Sequence, residues 1–92
     1  MSAQALLLKY IRNSEKVFAE IQFKRDLGDQ NRHKVNEVIE YAKRYLSDAK
    51  FYGEKQQYET GLVSVAYCEG MLDALRLLGM VEFKWPNTGE KQ

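Results

Sequence analysis

Apolar residues recur every three or four positions along most of this chain, the period of helices that each bury one face. The first series runs Leu7, Tyr10, Ile11, Ser14, Val17, Phe18 and Ile21, all on one side of a helix that begins after Ser2. The Ser2 hydroxyl is placed to cap the free amides of that helix's first turn. Arg25-Asp26-Leu27-Gly28-Asp29 predicts the stop, with Gly28 left-handed beyond the helix end and Asp29 or Asn31 capping the next helix. A second stripe, Val35, Val38, Ile39, Ala42, Tyr45, Leu46 and Ala49, defines a second helix. Its outer face carries Glu37, Glu40 and Arg44, and Glu40 lies four residues ahead of Arg44 in the favourable orientation.

The third helix, from about Tyr58 to Leu78, breaks the amphipathic pattern. At roughly 100° per residue, Glu69, Asp73 and Arg76 form one narrow polar stripe. Val63, Ala66, Tyr67, Gly70, Met71, Ala74, Leu75, Leu77 and Leu78 cover the rest of the circumference. A helix that is apolar on most sides has to be surrounded, and two neighbours in a bundle cover only about half of it. The tail Met80–Trp85, a second copy of the chain or another protein are the candidates for the remainder. Gly61 and Gly70 each weaken a helix by about 1 kcal/mol relative to alanine, a cost expected where a helix or ring comes close. Pro86 ends regular structure. The expected fold is all-α, an antiparallel three-helix bundle with a short aromatic C-terminal tail packed on it. Residues 1–86 form its single domain and 87–92 a flexible end.

Composition narrows the function classes. The chain has 92 residues, 45% of them hydrophobic, enough for one core without a metal or disulfide. Its one cysteine cannot form an internal bridge, which suits a reducing, cytoplasmic setting. A formal charge of +1 supplies no global field toward nucleic acid or anionic lipid, so such binding has to come from a local patch. The apolar run Ala5-Leu6-Leu7-Leu8 is cut short by Lys9 and Arg12, far below the length of a membrane span. One tetratricopeptide-like helix pair can be read from Tyr45 to Leu75, but a repeat array needs about three.

Individual residues suggest binding more than catalysis. His33 stands at the start of the second helix between Arg32 and Lys34 with no partner nucleophile, and reads as a surface residue. Cys68, in mid-helix with no adjacent His or Lys, reads as a small packing residue. Glu69 and Asp73 share a face and could serve as an acid/base or metal-ligand pair, but too few oxygen ligands accompany them for a hard ion. They are expected instead to form a structural polar stripe with Arg76, and no cofactor or metal is expected. Lys9, Arg12 and Lys16 form a basic flank that could face phosphates, with nucleic acid as a secondary contact. Tyr45, Phe51, Tyr52, Phe83 and Trp85 are the candidate partner surface, since aromatic residues are enriched and energetically dominant in interfaces.

The stretch from Asp48 to Trp85 adds a family resemblance. Ala66-Tyr67-Cys68-Glu69-Gly70-Met71-Leu72-Asp73-Ala74-Leu75-Arg76-Leu77-Leu78-Gly79, followed by Phe83-Lys84-Trp85, resembles the recurring string Y-A-E-G-L-L-D-A-L-R-x-L-G and F-x-W of the domain of unknown function numbered 357, a small archaeal family. One departure stands out. Where family members have E-K-G-D-Y, this chain has Glu54-Lys55-Gln56-Gln57-Tyr58, so the glycine that closes one helix and the aspartate that opens the next are both replaced. Either Gly53 takes over as the stop or the second helix runs on a turn further. The resemblance implies the same helical bundle. It also implies a domain found alone or joined to a nucleotidyltransferase-like domain, serving a larger enzyme. A free-standing member then reads as a non-catalytic accessory subunit of a larger archaeal enzyme, with a nucleic-acid-processing complex such as a replicative DNA polymerase as one host. The competing expectation is a small-molecule-binding or enzymatic bundle with a pocket around Glu69, Asp73, Arg76 and Tyr67.

Overall fold

The Ser2 hydroxyl accepts a hydrogen bond from the Ala5 amide at 3.0 Å and opens α1, Ala3–Glu20, in a computed structural model that describes residues 1–86. The expected flexible end at 87–92 lies outside the described residues. α2 spans Asp29–Glu54 and α3 spans Tyr58–Leu77, giving the three helices that the apolar periods predict. α2 and α3 make the most extensive contact in the bundle. Ala49 approaches Gly61, Tyr45 stacks on Tyr67, and Val35 shares a cluster with Leu75, so α3 returns along α2.

The first connection differs from expectation. α1 ends at Glu20, and Ile21 takes an extended conformation with its amide still bonded to the Val17 carbonyl. The chain then forms a short strand, β1 (Gln22–Phe23), which pairs antiparallel with β2 (Val81–Glu82). Gln22 faces Glu82 and Phe23 faces Val81 across this two-residue ladder, and the Lys24 ammonium donates to the Glu82 carboxylate at 3.0 Å. A pairing this short gives no periodic signal, which is why sequence reasoning passed over it. Gly28 is not left-handed. With φ −71° and ψ 164° it is itself the N-cap of α2, and Asp29 is the first helical residue rather than the cap. On the outer face of α2, Glu40 pairs with Lys43 at 3.5 Å, and Arg44 instead lies over the Tyr41 ring.

The same helix ending is built twice. After α3, Gly79 is left-handed at φ 76°, its amide bonds the Arg76 carbonyl, and the Met80 amide reaches back to Leu75. After α2, Gln56 is left-handed at φ 64°, its amide bonds Gly53, and the Gln57 amide reaches back to Tyr52. Both are Schellman endings, and the left-handed residue in that motif is ordinarily glycine. α2 therefore runs past Gly53, and Gln56 carries the strain at the position where the string it resembles has glycine.

The core lies between the helices. Leu7, Ile11 and Val17 of α1 meet Ala42, Leu46 and Ala49 of α2 and Val65, Cys68 and Leu72 of α3. A smaller cluster of Val35, Ile39, Leu75 and Val81 continues beneath the β1–β2 ladder, and Phe18, Ile21 and Phe83 pack against both. Gly61 is required by this packing. A Cβ there would stand 2.7 Å from a Leu7 methyl and 3.3 Å from the Ala49 carbonyl oxygen. Gly70 has no such reason, since nothing lies within 4 Å of where its Cβ would be. The expectation of a close neighbour at both glycines therefore holds for the first and fails for the second.

Candidate functional site

α3 turns Gly61, Val65, Cys68, Leu72 and Leu75 inward, and its opposite side is left uncovered. Val63, Tyr67, Leu77 and Leu78 are 59%, 57%, 73% and 69% exposed, values that make them as open as surface lysines although they are apolar. Ala66, Gly70 and Ala74 lie exposed between them. With Met71 they floor an open groove of about 540 Å³. The described part of the tail, residues 80–86, does not cover this face. Phe83 and Trp85 pack edge to face on each other, with ring centroids 5.1 Å apart, and both lie against the core cluster.

Tyr67 links the groove to the neighbouring edge of α2. Tyr67 stacks on half-buried Tyr45 with ring centroids 5.1 Å apart, and Tyr41, one turn from Tyr45, is 53% exposed with the Arg44 guanidinium 4.8 Å from its centroid. Tyrosines held by stacking and by a cation are ordered before any partner arrives, which reduces the side-chain entropy lost on binding. Of the five aromatic residues expected to meet a partner, Tyr45 borders this groove. Phe51 is 52% exposed on α2, with Tyr52 against its edge and Lys55 5.5 Å from its centroid. Phe83 and Trp85 are half-buried tail anchors packed against the core cluster. Val63, Ala66, Tyr67, Gly70 and Ala74 belong to the α3 surface for which the sequence left the tail, a second copy or another protein as candidate cover, and Tyr41 to the aromatic edge of α2. The signal for most of them was the apolar excess of α3.

The polar stripe is tied down. Asp73 Oδ1 accepts from Arg76 Nε at 3.1 Å, from Arg76 Nη2 at 3.0 Å and from the Trp85 indole N–H at 2.8 Å. Half-buried Glu69, one turn earlier, is likewise not free. One carboxylate oxygen thus joins α3 to the tail. Asp73→Asn should lower stability by about 1 kcal/mol, because the ion pair with Arg76 is lost and the Trp85 indole donates to a neutral oxygen instead of a carboxylate at a partly exposed site. Urea unfolding of the two proteins measures the difference, and an unchanged midpoint would remove the clasp from the account of the fold.

His33 is exposed and stands 3.5 Å from Glu37. Cys68 is wholly buried, and burial pushes its thiol up to about 11. The Ser14 hydroxyl acts in the opposite direction, although it makes no hydrogen bond of good geometry, and the Glu69 charge adds to the rise. The folded chain therefore keeps a proton that the unfolded chain releases from about pH 9, so stability should fall as pH rises from about 9 toward 11. The loss should shrink in Cys68→Ala, measured by urea unfolding at pH 8 and pH 10, and a disulfide reagent at pH 8 should label wild type only as it unfolds.

Lys9, Arg12 and Lys16 lie along α1, the latter two exposed and Lys9 half-buried. Among the described residues no three His, Cys, Asp or Glu side chains are placed to hold a metal ion, and no helix is long and apolar enough to cross a membrane. Comparison with curated proteins and with solved structures finds no match. A family model does match, over residues 9–81, and the resemblance read from the α3 string is thereby confirmed. With α2, α3, the whole groove and α1 from Lys9 onward inside that span, the chain belongs to the family described as "Protein of unknown function (DUF357)".

Proposed function

We propose that this chain is a non-catalytic protein-interaction module whose partner seats on the α3 groove and its tyrosine border. The observation that carries this reading is the uncovered apolar face of α3, where Val63, Tyr67, Leu77 and Leu78 remain more than half exposed after the bundle and the tail have packed. Burying one such side chain is worth about 1.5–3 kcal/mol, so a solvent-facing row of them favours association. A partner helix laid over Ala66, Gly70 and Ala74 can come close, because these positions have little or no side chain.

The enzymatic alternative draws less support. Asp73 already accepts from both Arg76 and Trp85, while Tyr67 lines the groove on the α2 side, where neither Asp73 nor Arg76 is among the lining residues. In our reading the module is a small accessory subunit of a larger archaeal enzyme, such as a replicative DNA polymerase or another nucleic-acid-processing complex. It acts in the cytoplasm. Tagged protein purified from its native host, with nuclease treatment to remove nucleic-acid bridging, should retain a stoichiometric protein partner. Sedimentation of the isolated chain across a concentration series separates this from self-association. A dimer at micromolar concentration that retains no other protein would overturn the accessory reading.

A further inference from the structure

We infer that the outward row Lys9, Arg12 and Lys16 of α1 is a sequence-independent contact for the phosphates of a nucleic acid. The inference rests on the reading of the chain as an accessory module but uses a different surface. At roughly 100° per residue the three side chains fall within about 60° of one another, directly opposite Leu7, Ile11, Ser14 and Val17, which face the core. The row therefore faces away from the core, with Arg12 and Lys16 exposed and Lys9 half-buried. It spans about 10 Å of helix axis, or about three of the ~3.4 Å steps between phosphates along one strand of duplex DNA, so its three cations can each meet a phosphate within a run of about four.

Most other cations in the molecule are already occupied. Lys24, Lys43, Lys50 and Arg76 pair with carboxylates, and Arg32, Arg44 and Lys55 lie over aromatic rings. Lys9, Arg12 and Lys16 have neither kind of partner among the described residues, and they are grouped. The nearby carboxylate Glu15 is held by Lys50 of α2, which draws it away from the row. Glu20, one turn beyond Lys16, is the acidic residue that closes the row. A membrane surface fits less well than a polynucleotide. A lipid-binding helix needs an apolar face free to enter the bilayer, and the apolar face of α1 is buried in the core.

The test is anisotropy of a fluorescent DNA duplex of about 20 base pairs, titrated with the full chain between about 20 and 200 mM salt. Three phosphate contacts predict a slope of log affinity against log salt of about −2.7. The variant Lys9→Ala/Arg12→Ala/Lys16→Ala should bind at least ~10-fold more weakly with a slope near zero, and alanine at these outward positions preserves the helix. Arg25→Ala/Lys34→Ala/Lys84→Ala removes the same net charge elsewhere and should change binding little. Equal losses in the two triple variants would overturn the inference, as would a duplex that fails to bind at low salt or anionic vesicles binding in its place. Because this titration needs no protein partner, it fails or succeeds independently of the α3 groove.

Discussion

Gly70→Arg is expected to stabilise the isolated chain while removing its protein partner. The two effects have separate causes at one position. Gly70 sits in the middle of α3 with nothing within 4 Å of its absent Cβ, so it lowers helix stability with no return from packing inside this chain. Arginine at the same exposed position should raise stability by about 0.5–1 kcal/mol through helix propensity alone. That corresponds to a melting temperature several degrees higher for a domain of this size. A guanidinium in the floor of the groove would meanwhile hold a partner helix away from Ala66 and Ala74 and leave a charge buried beneath it. Loss of a central interface contact costs about 2 kcal/mol or more, so the partner should be retained at least ~10-fold less well. The measurements are thermal melting and nuclease-treated purification from the host, carried out beside Phe51→Ala and Trp85→Ala. Retention of the partner by Gly70→Arg together with its loss in a folded Phe51→Ala would move the interface to the far end of α2.

Such a sign reversal is informative because most damage to this protein would move stability and binding together. Trp85→Ala is the contrasting case. It removes the indole that donates to Asp73 and packs on Phe83, so the tail loosens and the bundle weakens whichever surface a partner uses. A binding loss in that variant has to be read against its melting temperature.

How much of this was legible beforehand follows from the length scale of each feature. Residues such as Leu7, Ile11, Val17, Val35, Ile39, Ala42, Leu46 and Ala49 fall at helical spacing over many turns, and all are buried as that spacing predicts. The Ser2 cap was equally plain, since a hydroxyl before an apolar-periodic run has one natural role. The β1–β2 ladder was not legible, because two residues per strand fall below any period. The role of the tail was only half legible. Sequence could say that Phe83 and Trp85 needed cover but not whether this bundle or a partner supplied it, and the answer depended on where β2 aimed the chain. The groove was present in the sequence as an excess of apolar residues on α3. Turning that excess into a named surface required knowing which side α1 and α2 leave open.

The turn between α2 and α3 supports the second large prediction, that Gln56→Gly with Gln57→Asp will stabilise the chain by about 1–2 kcal/mol. Gln56 is left-handed at φ 64°, where a side chain crowds the carbonyl that follows it and glycine does not. Gln57 is the N-cap of α3 but makes no side-chain cap bond, so α3 opens without the oxygen that aspartate would offer to its first-turn amides. The cap accounts for about 1 kcal/mol of the gain and relief of the left-handed residue for a similar share, less the extra freedom that glycine gives the unfolded chain. Because Gly79 already closes α3 with the same pair of backbone bonds, Gln56→Gly asks the backbone for nothing new. Urea unfolding of the two single variants and the double variant is the measurement, with near-additive gains expected. If Gln56→Gly alone left the midpoint unchanged or lowered it, the left-handed turn would carry no strain, and the glycine of the family pattern would need an explanation other than backbone geometry.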